Sequence, residues 1–215
     1  MSTAGNLCTT IIGDLARGDT SISDIVLIDI QSSIREYETQ RFYFNEQKIS
    51  LTISATDTYA MSLFAAAGSG VSDIIEVDFL EVLVNTTQSY QPEEKPIQDF
   101  NFLAGGTNNP GYPDFWSIYN QAVKIYPMAI ATGLTCNMYA HVKFTEIAAG
   151  GFATSNPWTN DASELIRNAT LKRLWGRRFK DYNAAQAADM AEQQALRALQ
   201  RRTSALSDQR IAPYL

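Results

Sequence analysis

The hydrophobic period of this chain changes along its length, and that change limits the fold more than any other feature. Residues 1–47 and 160–206 repeat their apolar groups every three or four positions, as helices do. The middle repeats them every second position, as strands do. The strongest helical stretch is Asn160 to Leu206, which reads as two helices folded back on each other. In the first, Leu165, Ile166 and Ala169, then Leu171, Trp175 and Phe179, line one face. Asn160 or Asp161 supplies its cap, with Glu164 in the first turn. The second runs from about Ala184 to Ala205, with Ala188, Ala191, Ala195, Leu199 and Leu206 as its inner stripe. Alanines at a seam let two backbones approach closely. Asp181, Tyr182 and Asn183 supply the turn between the two helices.

The N-terminal end answers with a similar pair. Leu7, Ile11, Ile12 and Leu15 mark a short helix that Gly18 ends. Ser21 followed by Asp24 signals a second start, and Leu27, Ile30, Ile34 and Tyr37 carry that helix to about Asn45. From Lys48 strands are expected at Ile49–Ile53 and Tyr59–Leu63. A third is expected with Ile75, Val77, Phe79 and Leu83 inward and Glu76 and Asp78 outward. Tyr90–Asp114 reads as a loop, Val123 and Ile125 as a short strand stopped by Pro127. The clearest strand has Leu134, Cys136, Met138, Ala140, Val142 and Phe144 on one face, with Asn137 and His141 on the other. Ala148–Thr159 reads as a second loop. No long helix separates the strands, so their sheet is expected to be mainly antiparallel. The fold class is therefore α+β, with a helical bundle from both chain ends and an inserted antiparallel β module. Its expected parts are 1–47 with 160–206 as the bundle, 48–159 as the insert, and 207–215 as a tail.

Composition narrows the chemistry. Residues 1–160 hold 7 Lys/Arg against 17 Asp/Glu, whereas residues 161–215 hold 10 against 6. An acidic body with a basic end argues against a general nucleic-acid coat, and a solvated helix face accounts for the basic end. Cys8 and Cys136 have no partner at ligand spacing, and the one histidine, His141, has no nucleophile motif with it. No catalytic residue, metal ligand or cofactor site is assigned. Glu76, Asp78 and Glu81, with Glu93–Glu94, keep a carboxylate-dependent glycan hydrolase as an alternative. Arg173, Arg177, Arg178 and Lys180 keep a DNA-binding module as another. No apolar run reaches membrane-spanning length and the N-terminus lacks a signal-peptide pattern, so no membrane partner is expected.

Two stretches point to partners instead. Arg41-Phe42-Tyr43-Phe44-Asn45-Glu46 puts three aromatics in a row at a helix end. They plug a junction, or part of the cluster anchors a neighbouring subunit. The tail ends in Arg210, Ile211, Pro213, Tyr214 and Leu215, an apolar cluster suited to a partner's groove if it is more than a frayed end.

The aromatic run, the segment Tyr112-Pro113-Asp114-Phe115-Trp116-Ser117-Ile118-Tyr119 followed by Val123–Pro127, and Trp158 before Ala162–Arg167 occur in an informative order. In these features the chain resembles the head-to-tail adaptor proteins of tailed bacteriophages, also called connector or gatekeeper proteins. The extended loop Tyr90–Asn109 and the Gly150–Gly151 loop depart from that pattern. The resemblance implies a non-enzymatic virion protein, assembled in the host cytoplasm. It implies a dodecameric ring joining the portal to a tail tube or nozzle, through which genomic DNA passes. It places portal binding at Arg201, Arg202, Arg210, Ile211, Pro213, Tyr214 and Leu215. Subunit or tail contacts then fall to Arg41, Phe42, Tyr43, Tyr90, Tyr112, Trp116 and Trp158. A tail-tube or tail-completion protein is the nearest alternative.

Overall fold

The structure is a computed structural model that describes residues 3–15, 20–85, 88–103, 105, 109–148 and 150–210, with backbone alone for 20 and 207–210. The fold is α+β. The chain forms two units, residues 1–45 with 144–215, and residues 46–143.

The first unit is helical. Helices α1 (Ala4–Asp14) and α2 (Ser23–Tyr37) come from the N-terminal end. Helices α5 (Pro157–Asp161), α6 (Ser163–Arg173) and α7 (Tyr182–Arg210) come from the C-terminal end. Helix α6 is central and touches α1, α2, α5 and α7. Leu165, Ile166 and Ala169 are fully enclosed there. Against α2 the seam is small and polar: Ser33 and Thr170 are buried, their hydroxyls 3.2 Å apart. Each also donates within its own helix, Ser33 to Asp29 O and Thr170 to Ile166 O, which satisfies the buried pair. Arg167 clamps α6 to α1 through two bonds to Asp14, at 2.7 and 2.8 Å.

The seam of α6 and α7 departs from the simple stripe. Ala188 and Leu199 are buried, but Ala191, Ala195 and Leu206 are only half-buried, and the carboxylate of Glu192 is enclosed at 2 % exposure. Tyr37 donates to Glu192 Oε1, and the Lys172 ammonium faces Oε2. Trp175, expected on the inner face, is half-buried, and Leu174 takes that place. Leu174–Phe179 is π-helical. Its bonds reach one residue further than in an α-helix, so a four-residue step no longer returns to the same face. Lys180 then adopts a left-handed conformation (φ 54°) and ends the segment. Asp181 caps α7 by accepting the Ala184 N–H at 3.0 Å.

Other boundaries move for local reasons. The expected second helix stops at Tyr37 rather than near Asn45, and a 3₁₀ turn (Thr20–Ile22) precedes it, which puts Ile22 at the N-cap position. Residues 144–159, expected with the insert, lie in the helical unit. There Ala4 and Gly5 N–H groups donate to Thr154 and Phe152 carbonyls at 2.9 and 2.8 Å. A Cβ on Gly5 would lie 2.8 Å from Phe152 O, so that approach needs glycine. The helix expected to be capped at Asn160 or Asp161 is α6, which instead has Ala162 at its N-cap position with no side-chain cap; Asn160 and Asp161 belong to the short α5, which Asn156 starts through a capping box with Thr159. Helix α7 continues past Leu206 to Arg210, because Ser207 and Asp208 weaken a helix end but do not stop it as Pro would. Residues 16–19, with Gly18, and 211–215 lie outside the described residues.

The second unit holds the sheets. Strands β1 (Glu46–Ile53), β3 (Val71–Leu83), β4 (Ser89–Tyr90) and β10 (Leu134–Phe144, its last residue in the helical unit) form one sheet, ordered β1-β10-β3-β4. Strands β1 and β10 pair antiparallel, from Glu46 opposite His141 to Ile53 opposite Leu134. Strands β2 (Thr58–Ala60), β5 (Glu93–Glu94), β7 (Phe115–Tyr119) and β8 (Ala122–Tyr126) form the other, ordered β2-β8-β7-β5. Asn120 and Gln121, both at positive φ, make the tight turn from β7 to β8. Strands β6 (Pro110–Gly111) and β9 (Met128–Ala129) form a short parallel pair.

Three expectations change here. Met61 and Leu63 begin helix α3 (Met61–Ala67) instead of continuing a strand, since Met, Leu and three alanines favour helix. In β3 the buried residues include Ile74, Leu80 and Val82, while Ile75 is exposed. Apolar groups occur at both parities of β3, so alternation alone does not choose its face. The Tyr90–Asp114 loop contains β4, β5, β6 and helix α4 (Ile97–Leu103), with Phe100 buried. Its backbone is tied down where Glu93 and Lys95 N–H groups donate to Asp114 and Trp116 carbonyls, both at 2.8 Å.

Two predictions follow from the helical unit. Trp158→Ala should cost roughly 3–5 kcal/mol in urea unfolding, and Trp175→Ala about 1–2 kcal/mol, because only the first is enclosed. The second concerns alkaline pH. Burial, then the bond to Glu192, raises the Tyr37 hydroxyl above its usual 10.0. Burial alone would lower Lys172, but Glu192 and Asp189 outweigh it and hold the amine above its usual 10.5. Both groups bind their proton more tightly when folded, so their stabilisation is complete below about pH 10 and falls as pH rises further. The urea midpoint should drop above pH 10, and Tyr37→Phe should make that drop shallower.

Candidate interaction surfaces

The aromatic run before the insert folds inward. Phe42 and Phe44 stack at 5.5 Å and both meet Trp158 edge-on, at 5.7 and 4.9 Å. The Phe42 N–H donates to Asn45 Oδ1 at 2.7 Å, so the turn holds itself. Phe42 and Trp158 are enclosed in this unit, and Trp116 is enclosed in the other. These three side chains, expected at an interface, are core and offer no surface. Tyr43 is half-buried and carries the end of α7: its N–H donates to Thr203 Oγ1 at 3.3 Å, and the Arg202 guanidinium lies 4.3 Å over its ring. Its hydroxyl donates to Asp161 at 2.9 Å, and burial together with that bond pushes it up to about 12. Arg202 is thus engaged within the unit, whereas Arg201 and Arg41 are exposed. For Arg210 the backbone alone is described, and Ile211, Pro213, Tyr214 and Leu215 lie outside the described residues.

Arg173 at the end of α6, Arg177 and Arg178 of the π-helical segment, and Asp29 of α2 surround a cavity of ≈ 420 Å³. Arg173 donates to Glu36 at 2.7 Å and to Ser32 O at 3.4 Å, while its Nε is buried without an acceptor. Arg177 and Arg178 are exposed and form no ion pair with a described carboxylate. Lys180 does not line this cavity. On the neighbouring face of α2, Leu27, Ile28, Arg35, Glu146 and Ile147 help line a larger groove of ≈ 760 Å³. Ile28 is 62 % exposed there. Neither Ile28 nor Asp29 stood out in the sequence, since each sits singly inside a helical pattern.

In the second unit Tyr112 is exposed and Tyr90 half-buried, its hydroxyl raised first by burial and then by Asp114. Among the described residues, Phe102 is the most exposed large apolar side chain, at 86 %. It was hidden in a stretch that reads as loop. Of the carboxylates behind the hydrolase alternative, Glu81 lines a cavity with Lys48 and Asn137. Glu81 accepts from Ser89 and Asn137 at 2.7 and 2.8 Å, and those bonds hold it below the usual carboxylate range. Glu76 and Asp78 are exposed and do not line the cavity beside Glu81. His141 is buried in β10, and burial pushes the enclosed thiol of Cys136, on the same strand, up to about 12, well away from a reactive thiolate. Among the described residues, no group of three or more His, Cys, Asp or Glu side chains is placed to hold a metal ion. No described helix is long and apolar enough to cross a membrane.

No curated protein matches the chain. A family model described as SU10 adaptor protein matches residues 2–213, nearly the whole length. That family is one of phage adaptor proteins, with a structural role in the virion. The chain belongs to the SU10 adaptor protein family of phage head–tail adaptors.

Proposed function

We propose that this chain forms a ring between the portal and the tail, with genomic DNA passing through the ring and no catalysis by the protein. The observation that carries this reading is the family match across residues 2–213. The charge distribution supports it. The 46–143 unit holds 10 Asp/Glu against 4 Lys/Arg, while the helical unit holds 13 of each. An acidic unit facing a channel repels the phosphate backbone, which favours sliding over gripping. A dodecamer is the stoichiometry we propose.

The portal-binding end is assigned to the last turns of α7 and the residues beyond. Arg201 is exposed, and Arg210, Ile211, Pro213, Tyr214 and Leu215 follow it. Arg202 contributes indirectly, by fixing the end of α7 on Tyr43. Tyr112 and Arg41 supply exposed surface for subunit or tail contacts, with Tyr43 and Tyr90 contributing their open edges. An apolar end on a helix suits docking into a groove, with arginines setting register more than affinity.

Electron microscopy of the purified chain mixed with portal tests the assignment. Truncation after Ala205 retains the Arg202 and Thr203 contacts with Tyr43. The truncated chain should melt within about 2 °C of the full chain, since the half-buried Leu206 is the one described side chain it loses. It should fail to decorate portal. Unchanged portal binding would remove the C-terminal segment from the interface, and binding to tail protein alone would favour a tail-completion role.

A further inference from the structure

The two surfaces on α2 of the helical unit adjoin each other. Ile28 lines the groove and Asp29, the next residue, lines the arginine cavity. Ser32 also lines the groove, while its carbonyl accepts from Arg173. An apolar anchor therefore sits beside three guanidinium groups, of which Arg173 pairs with Glu36, while Asp29 lines the same cavity. Asp29 itself is half-buried, and burial raises its carboxyl despite the pull of Arg173, Arg178 and Arg177.

The complementary pattern lies on the other unit. Phe102 is 86 % exposed at the end of α4, and Leu103 beside it is exposed too. Glu94, on the edge strand β5, and Asp99, on α4, are exposed and form no ion pair with a described cation. We propose that the Glu94–Phe102 segment of a second copy of this chain docks on α2, with Phe102 against the Ile28 groove and the two carboxylates on Arg177 and Arg178. This inference rests on the ring reading above and gives it a subunit contact. The two patches are different surfaces of one chain, so their contact is heterologous, the kind that closes into rings. DNA fits the site less well: its phosphates would meet Asp29 and Glu36 beside the arginines, and it offers no anchor for Ile28.

The test measures self-association of the full chain by mass photometry, alone and on portal. Phe102→Ala, the pair Arg177→Glu with Arg178→Glu, and the pair Glu94→Arg with Asp99→Arg should each weaken association about tenfold or more. All five side chains are exposed, so thermal melting should stay unchanged, which separates contact loss from misfolding. A chain carrying both charge-reversed pairs should recover association. Rings that persist in every variant, or a loss that the combined reversal does not repair, would overturn the contact and leave the ring reading standing. A wild-type chain that stays a single copy both alone and on portal would overturn the ring reading and this contact together. If the arginine reversal changed only DNA retention in a salt-dependent shift assay, the cavity would be a phosphate site and the proposal would fail.

Discussion

The enclosure of Trp158 by Phe42 and Phe44 is the contact on which the helical unit depends. Those phenylalanines precede the 46–143 unit in sequence, and the tryptophan follows it. The helical unit is therefore discontinuous, and its two parts meet only after a long stretch of chain has left and returned. Closing so long an excursion costs chain entropy, which many small contacts or a few large ones must offset. Three large rings in edge and stacked geometry bury much apolar area in one place. The Arg167–Asp14 clamp and the Gly5–Phe152 backbone bond join the same two parts elsewhere.

A second constraint is the buried carboxylate of Glu192. A charge in a helix seam is costly unless it is paired and hydrogen-bonded. Tyr37 from α2 and Lys172 from α6 both reach it, so one residue of α7 fixes the rotation of three helices. This explains why the seam tolerates a sparse apolar stripe. Small alanines set the distance, and the polar triad sets the register.

The class of every long element was legible in the sequence, because its hydrophobic period is physically tied to helix or strand. Faces and ends were less so. The side of β3 that is buried could not be read, since Ile74, Leu80 and Val82 compete with Ile75, Val77 and Phe79. Trp175 left the core because π-helical bonding changes the pitch, and no local residue announces such a change. Asn156 was passed over as a cap because Gly150 and Gly151 nearby suggested loop throughout. The surfaces were the hardest part. Aromatics that stand together in sequence, such as Phe42 and Phe44, turned inward, whereas Phe102 is exposed and stands apart. Aromaticity predicts a role in packing or recognition, but only the tertiary fold decides between them.

The discontinuity of the helical unit also bears on the order in which the chain becomes stable during synthesis. Helices α1 and α2 leave the ribosome first, yet α6, which covers their apolar faces, is among the last elements made. The 46–143 unit has all its strands in hand well before that point. At roughly 5–20 residues per second, the N-terminal helices wait several seconds with exposed apolar stripes. Their short length and their serines and threonines keep those stripes narrow, so the sequence that builds the seam also limits sticking while the chain is incomplete.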